Sequence, residues 1–273
     1  MTHSGADIRA LLDRHGLDAR RALGQNFVID PNTVRKIAAL SGVEEGDHVL
    51  EIGPGLGSLT LALLERGASV TAIEMDEALI PVLEEVVENG PVRVIAGDAL
   101  RLDWDDALRD HLSWPLVANL PYNVATPLIL DLLRDVPRIT SMLVMVQAEV
   151  AERLAATPGS AAMGIPSVLV ACRGDAEIVA RVPPTVFHPR PRVESAVIRI
   201  TRHERPPIAD DLTVVETLVR TAYNTRRKMI RGSLGGFLSE AAIVAADVDP
   251  RARPETLSLA EWGRLASAVG SAR

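Results

Sequence analysis

The sequence predicts an α/β fold, a mainly parallel sheet covered on both faces, with a small all-helical domain after it. Three observations predict it. Short apolar runs recur between helix-length segments from residue 48 to residue 201. A glycine-rich turn joins the first of these runs to a helix. Past residue 205 the β pattern disappears and only helical periodicity is left. Strands buried on both faces read as continuous apolar runs, and parallel neighbours need a crossover of helix length between them.

In chain order, a short helix over Ala6–His15 ends at Gly16, and a loop with Arg20 and Gly24-Gln25-Asn26-Phe27 follows. Asp30-Pro31 reads as a cap followed by proline at the first helical position, opening a helix that runs through Lys36 to Leu40 and stops at Gly42. His48–Ile52 is a strand, Leu59–Arg66 a helix closed by Gly67, and Ser69–Ile73 a second strand. A helix over Glu77–Glu88 precedes a strand at Val92–Ala96. Pro115–Ala118 is the fourth strand, Pro127–Arg134 a helix and Ser141–Val146 the fifth strand. Glu149–Ala156 and Ser167–Arg173 suit helices, and Ala176–Val182 and Ser195–Thr201 suit late strands. Beyond a polar, proline-containing break, Leu212–Tyr223, Lys228–Leu238 and Leu259–Val269 suit helices, with a short turn at Pro254. The domains are therefore expected at 1–205 and 206–273.

The composition is that of a globular chain, with 47% hydrophobic and 24% charged residues among 273. One cysteine, Cys172, excludes an internal disulfide and a cysteine-based metal site, and no metal is expected. The charged N-terminus lacks the apolar core of a signal peptide, and no apolar run spans a bilayer, so a cytoplasmic protein without a membrane partner is expected. The net charge of −7 is unevenly placed. Residues 41–110 carry 16 Asp/Glu against four Arg, whereas residues 181–231 carry 11 Arg/Lys against five Asp/Glu. Such a field repels a polyanion on one face and attracts it on another; a merely solvated surface is the plain alternative.

Chemistry enters at Glu51-Ile52-Gly53-Pro54-Gly55-Leu56-Gly57. Three alternating glycines between a buried strand and a helix allow positive φ angles and let a ligand lie against the backbone. A dinucleotide loop would read G-x-G-x-x-G and rest a pyrophosphate on the helix. Here the spacing is G-x-G-x-G with Glu51 beside it, which suits a ligand bearing an ammonium and a sulfonium and repels a pyrophosphate. S-adenosylmethionine is thus favoured over NAD. Glu74, ending the second strand, suits the two hydroxyls of a ribose, and Asp98 after the third strand suits an adenine amine, or else a helix cap.

Asn119-Leu120-Pro121-Tyr122 follows the fourth strand. An amine on an adenine ring is a poor nucleophile because its lone pair is delocalised. The Asn119 side-chain carbonyl and a backbone carbonyl would accept its two hydrogens and turn the lone pair toward a methyl donor. Tyr122 would stack on an extruded base.

With these motifs in this order, the chain resembles the ribosomal RNA adenine dimethyltransferases of bacteria over nearly its whole length. Gly24–Asp30 is similar to that family's N-terminal cofactor motif, Leu50–Thr60 to its glycine loop, Asn119–Tyr122 to its catalytic motif and Phe187–Val197 to its F-x-P-x-P-x-V-x-S-A segment. The resemblance implies a Rossmann-like S-adenosylmethionine-dependent methyltransferase domain with a helical C-terminal domain. It implies donor binding by Asn26, Val28, Gly53, Gly55, Glu74, Met75, Asp98, Ala99 and Asn119. Asn119, Leu120 and Tyr122 would hold the target amine, and Phe187 would stack on the base from the other side, with a core anchor as its plainer alternative. Two adjacent adenosines of 16S ribosomal RNA in an assembling small subunit would be dimethylated, leaving S-adenosylhomocysteine. Arg190, Arg192, Arg226, Arg227 and Lys228 would touch phosphates. A monomer that does not act on DNA is expected. Val28 stands where leucine is common, and Tyr223-Asn224-Thr225 departs from the usual Phe-x-Gln.

Overall fold

A computed structural model of the protein describes residues 2–20, 23–208, 212–225 and 227–271. The first helix, α1 (Gly5–His15), begins where the Ser4 hydroxyl accepts the Asp7 N–H and the Asp7 carboxylate accepts the Ser4 N–H, and Gly16 closes it at φ 61°. A two-residue strand, β1 (Phe27–Val28), leads into α2 (Pro31–Leu40). The Asp30 side chain caps α2 by accepting from Asn32 and Thr33, and Val34, Ile37 and Ala38 form its buried stripe.

From there strands and helices alternate as β2 (His48–Ile52), α3 (Ser58–Leu64), β3 (Ser69–Glu74), α4 (Ile80–Val87), β4 (Val92–Ala96), α5 (Trp104–Ala107), β5 (Trp114–Asn119), α6 (Ala125–Asp135) and β6 (Ile139–Gln147). The chain continues through α7 (Ala148–Leu154), α8 (Ile165–Ala171), β7 (Gly174–Val182), β8 (Phe187–His188) and β9 (Ser195–Arg202). The large sheet has the order β4-β3-β2-β5-β6-β9-β7. Its pairs from β4 to β6 are parallel, and β9 runs antiparallel to β6 with Gln147 opposite Ser195. The strand β2 borders both β3 and β5, so successive crossovers leave it in opposite directions. That reversal opens a crevice at the carboxyl ends of the strands, where ligands bind in sheets of this kind.

The described chain divides into two compact units, one of residues 1–151 and 177–201, the other of residues 152–176 and 202–273. The sequence reading places 152–176 in the first domain. The apolar contacts assign it to the second: Met163, Val168 and Cys172 are buried in one cluster with Val215, Leu218 and Trp262. The rest of the second unit is helical, with α9 (Leu212–Asn224), α10 (Ile230–Ser233), α11 (Glu240–Ala245) and α12 (Leu259–Ser271). The helix expected over Lys228–Leu238 shortens to α10. Gly235 and Gly236 weaken a helix there, and a fresh one starts at the Ser239 cap.

In the first unit the sheet packs on α2, α3 and α4 through Val34, Ile37, Leu63, Val70, Leu83 and Val117. No helix among the described residues is long and apolar enough to cross a membrane.

Candidate active site

A cavity of about 300 Å³ opens at the carboxyl ends of β2, β3 and β5, and its lining residues all belong to the first unit. Its floor is the turn after β2, where Gly53, Gly55 and Gly57 take φ angles of 69°, 58° and 78°. A side chain at Gly55 would be strained by that angle, and its Cβ would come within 3.1 Å of the Phe27 ring. The turn brings bare backbone to the cavity, as the glycine spacing predicts.

Two buried carboxylates line one side of the cavity. Glu51 is 1% exposed and accepts a hydrogen bond from the Thr60 hydroxyl at 2.7 Å. Burial raises its pKa to about 8; Thr60 opposes the rise and the neighbouring Glu74 charge adds to it. Glu74, also raised by burial, accepts the Gly55 N–H at 3.0 Å and the Asp76 N–H at 2.8 Å. These bonds fix its carboxylate at the strand end, with the Met75 backbone as a further donor. Met75, Asp98, Ala99 and Leu100 also line the cavity; Met75 is 56% exposed, and Asp98 accepts the Leu100 N–H at 2.9 Å.

On the other side, β5 ends at Asn119, whose amide nitrogen donates to the Asn26 carbonyl at 3.1 Å. That contact engages the amide NH₂ and leaves Oδ1, which has no donor among the described residues. Leu120 has its N–H bound to the Met145 carbonyl at 3.1 Å. Its side chain is buried, and no donor among the described residues takes its carbonyl. Two neutral acceptors are therefore unclaimed at the end of one strand. Tyr122 follows, half-buried, with its hydroxyl 2.7 Å from the Ser195 oxygen at the start of β9. Burial raises the pKa of that phenol.

Asn26, Val28, Gly53, Gly55, Glu74, Met75, Asp98, Ala99, Asn119, Leu120 and Tyr122 are thus gathered on one cavity. Phe187 is not. It is 3% exposed, pairs with Val28 through β1 and β8, and packs with Val34 and Val197 in the core. Burying such a ring stabilises the fold by roughly 2–3 kcal/mol. Arg190, Arg192, Arg227 and Lys228 are exposed, and Arg226 lies outside the described residues. Sequence reasoning missed Ser195, Thr60, Arg20, Gln25 and Asp76. Gln25, Thr60 and Ser195 each lie inside a motif, Gly24–Asp30, Leu50–Thr60 and Phe187–Val197, and Arg20 lies in the loop before the first of these; Asp76 carried no signal. No cluster of metal-ligating side chains occurs among the described residues.

A sheet reversing direction at β2, a glycine cradle backed by acids and an Asn-Leu-Pro-Tyr turn with free carbonyls define a Rossmann-like methyltransferase of the class that uses a nucleoside donor. The comparisons narrow the class. The family described as Ribosomal RNA adenine dimethylase matches residues 16–269, and the chain belongs to it. Among relatives, the Ribosomal RNA small subunit methyltransferase A of Corynebacterium efficiens is 42% identical, covering 97% of this chain and 96% of its own. That of Nocardia farcinica is 45% identical, with 96% and 94% covered. A crystal structure of the 23S rRNA methyltransferase ErmE is similar at a TM-score of 0.70 and 26% identity, over 89% of this chain and 99% of that one. A dimethyladenosine transferase from Plasmodium falciparum shares the fold at a TM-score of 0.71 and 23% identity, over 86% and 94%.

Proposed function

We propose that this chain transfers methyl groups from S-adenosylmethionine to the exocyclic amines of two adjacent adenosines in 16S ribosomal RNA. It would act in the cytoplasm, as a monomer, on the assembling small subunit. The substrate reading follows the family and the named function of relatives matched along nearly their full length.

The cavity residues fit the donor. Buried Glu51 and Glu74 favour a cationic ligand, and the glycine cradle admits a nucleoside against the backbone. Asn26, Val28, Gly53, Gly55, Glu74, Met75, Asp98, Ala99 and Asn119 are proposed to hold it. When bound, S-adenosylmethionine supplies an electrophilic methyl carbon on a sulfonium.

The observation that carries the proposal is the pair of unclaimed acceptors, Asn119 Oδ1 and the Leu120 carbonyl. Together they accept the two hydrogens of an aromatic amine and turn its lone pair out of conjugation. Tyr122, steadied by Ser195, offers a ring to the extruded base. No strong base is required, because the amine proton becomes acidic only as nitrogen bonds carbon. The protein contributes alignment and fixed dipoles. Arg190 and Arg192 on the first unit, and Arg227 and Lys228 on the second, are proposed phosphate contacts.

Mass spectrometry of ribosomal RNA after incubation with labelled donor tests the reading, using immature 30S and 50S particles in parallel. Dimethyladenosine in 16S RNA alone is expected. Label confined to 23S RNA would overturn it.

A further inference from the structure

We infer that Asp76 anchors a latch that sets the orientation of the Asn119 amide: it holds Arg20 and Gln25, and these fix the segment whose Asn26 carbonyl binds the Asn119 nitrogen. The inference rests on the proposed role of Asn119 and adds positioning residues to it.

An asparagine amide has almost the same shape when its oxygen and nitrogen exchange places, so only its partners decide which faces a substrate. Flipped, Asn119 would present an NH₂ to an incoming NH₂, donor against donor. The Asn26 carbonyl prevents this by taking Nδ2 at 3.1 Å. One hydrogen bond from a loop selects an orientation only if the loop itself is fixed.

Asp76 supplies the fixing. It is 5% exposed, just past the end of β3, and both its oxygens are engaged. Oδ1 accepts from Arg20 Nη1 at 2.9 Å and from the Ala78 N–H at 3.2 Å, and Oδ2 accepts from Gln25 Nε2 at 2.8 Å. Gln25 is held at its other end too, since its oxygen accepts the Arg20 N–H at 2.8 Å. A buried carboxylate without such partners would be costly, so the contacts persist together or are lost together. The segment they hold lies against the Asn-Leu-Pro-Tyr turn: at Gly24, φ is 68° and a Cβ would stand 2.9 Å from Asn123 Oδ1 and 3.3 Å from Pro121 Cβ. The end of β3 is thereby connected to the end of β5 through hydrogen bonds and close backbone packing, without a ligand in the path.

The polarity of this ladder is reversible, which provides the test. Gln25→Glu sets two carboxylates against each other, and Asp76→Asn sets two amide NH₂ groups against each other. The double variant restores every donor–acceptor pair. The carboxylate now at position 25 accepts from the amide nitrogen at position 76 and from the Arg20 N–H, while the amide oxygen at position 76 serves Arg20 and Ala78. At saturating donor and RNA, each single variant should lose about tenfold or more in kcat with little change in the KM for RNA. The double variant should recover to within about threefold of the parent protein. Nitrogen-15 NMR of the Asn119 side-chain NH₂, recorded without RNA, should show faster hydrogen exchange in each single variant and protection regained in the double. Unchanged exchange in the single variants, or no recovery in the double, would overturn the latch. Should the parent protein methylate no ribosomal RNA, the reading of function fails, and the Asn119 exchange still decides the latch by itself.

Discussion

The two sides of the cavity treat charge in opposite ways. The ends of β2, β3 and β4 contribute Glu51, Glu74, Asp76 and Asp98, whereas the end of β5 contributes Asn119, Leu120, Tyr122 and Asn123, with no carboxylate. The difference follows from what each side is proposed to hold. A cationic donor draws buried carboxyls toward their ionised form, and a dry site strengthens that attraction. A neutral amine needs acceptors that stay acceptors. Glu51 shows what burial does to a carboxylate, since its pKa of about 8 leaves it largely protonated at neutral pH. Amide and peptide carbonyls do not titrate, so the β5 side keeps its two acceptors at every working pH.

Removing the uncharged acceptor should have the largest effect. Asn119→Ala is expected to lower kcat by at least about 100-fold, the scale of losing one fixed dipole at the reacting atom. Donor affinity, measured by calorimetry without RNA, should fall by a much smaller factor, about tenfold at most, because Asn119 is one donor contact among several and the acidic side is untouched. An equal loss in both quantities would reduce Asn119 to a donor contact and end the comparison.

The acidic side should declare itself through protons. Glu51 has its folded-state value near 8, above the ordinary 4.5, so the folded chain binds a proton that the unfolded chain releases. The sign is that of a raised acid: stability is unaffected below about 4.5, falls as pH rises toward 8, and falls no further beyond. A cationic donor favours the ionised form, so donor binding between pH 6 and 8 should release protons, and affinity should rise by up to about tenfold per pH unit. Calorimetry in two buffers of different ionisation enthalpy counts the protons. Glu51→Gln should remove most of the release; the same release in that variant would assign the proton elsewhere.

Much of this site was legible in the sequence because its parts are local. The glycine turn, Glu74, Asp98 and the Asn-Leu-Pro-Tyr turn each follow a strand, and strand ends in a parallel sheet converge without further instruction. What was not legible depends on long-range pairing. Tyr122 and Ser195 are 73 positions apart, Gln25 and Asp76 are 51 apart, and no periodicity links either pair. The strands β1 and β8 hold two residues each, too few for alternation to register, yet their pairing puts Phe187 beside Val28 in the core. Residues 152–176 read as ordinary α/β crossover; their place in the second unit is set by apolar partners beyond residue 208.

The smallest effect expected lies in the support of the Tyr122 ring. Tyr122 keeps its aromatic face in Tyr122→Phe and loses only the hydroxyl, so kcat should fall by about two- to fivefold, the scale of one neutral hydrogen bond. Ser195 is fully buried, and Ser195→Ala removes the same bond from the other end, leaving the phenol without its partner. The two changes should therefore not add: the double variant should be no slower than the worse single variant. Additive losses would mean that the hydroxyl reaches the RNA directly. The β5 side would then read its substrate through a third polar contact, and its neutrality would serve recognition as well as alignment.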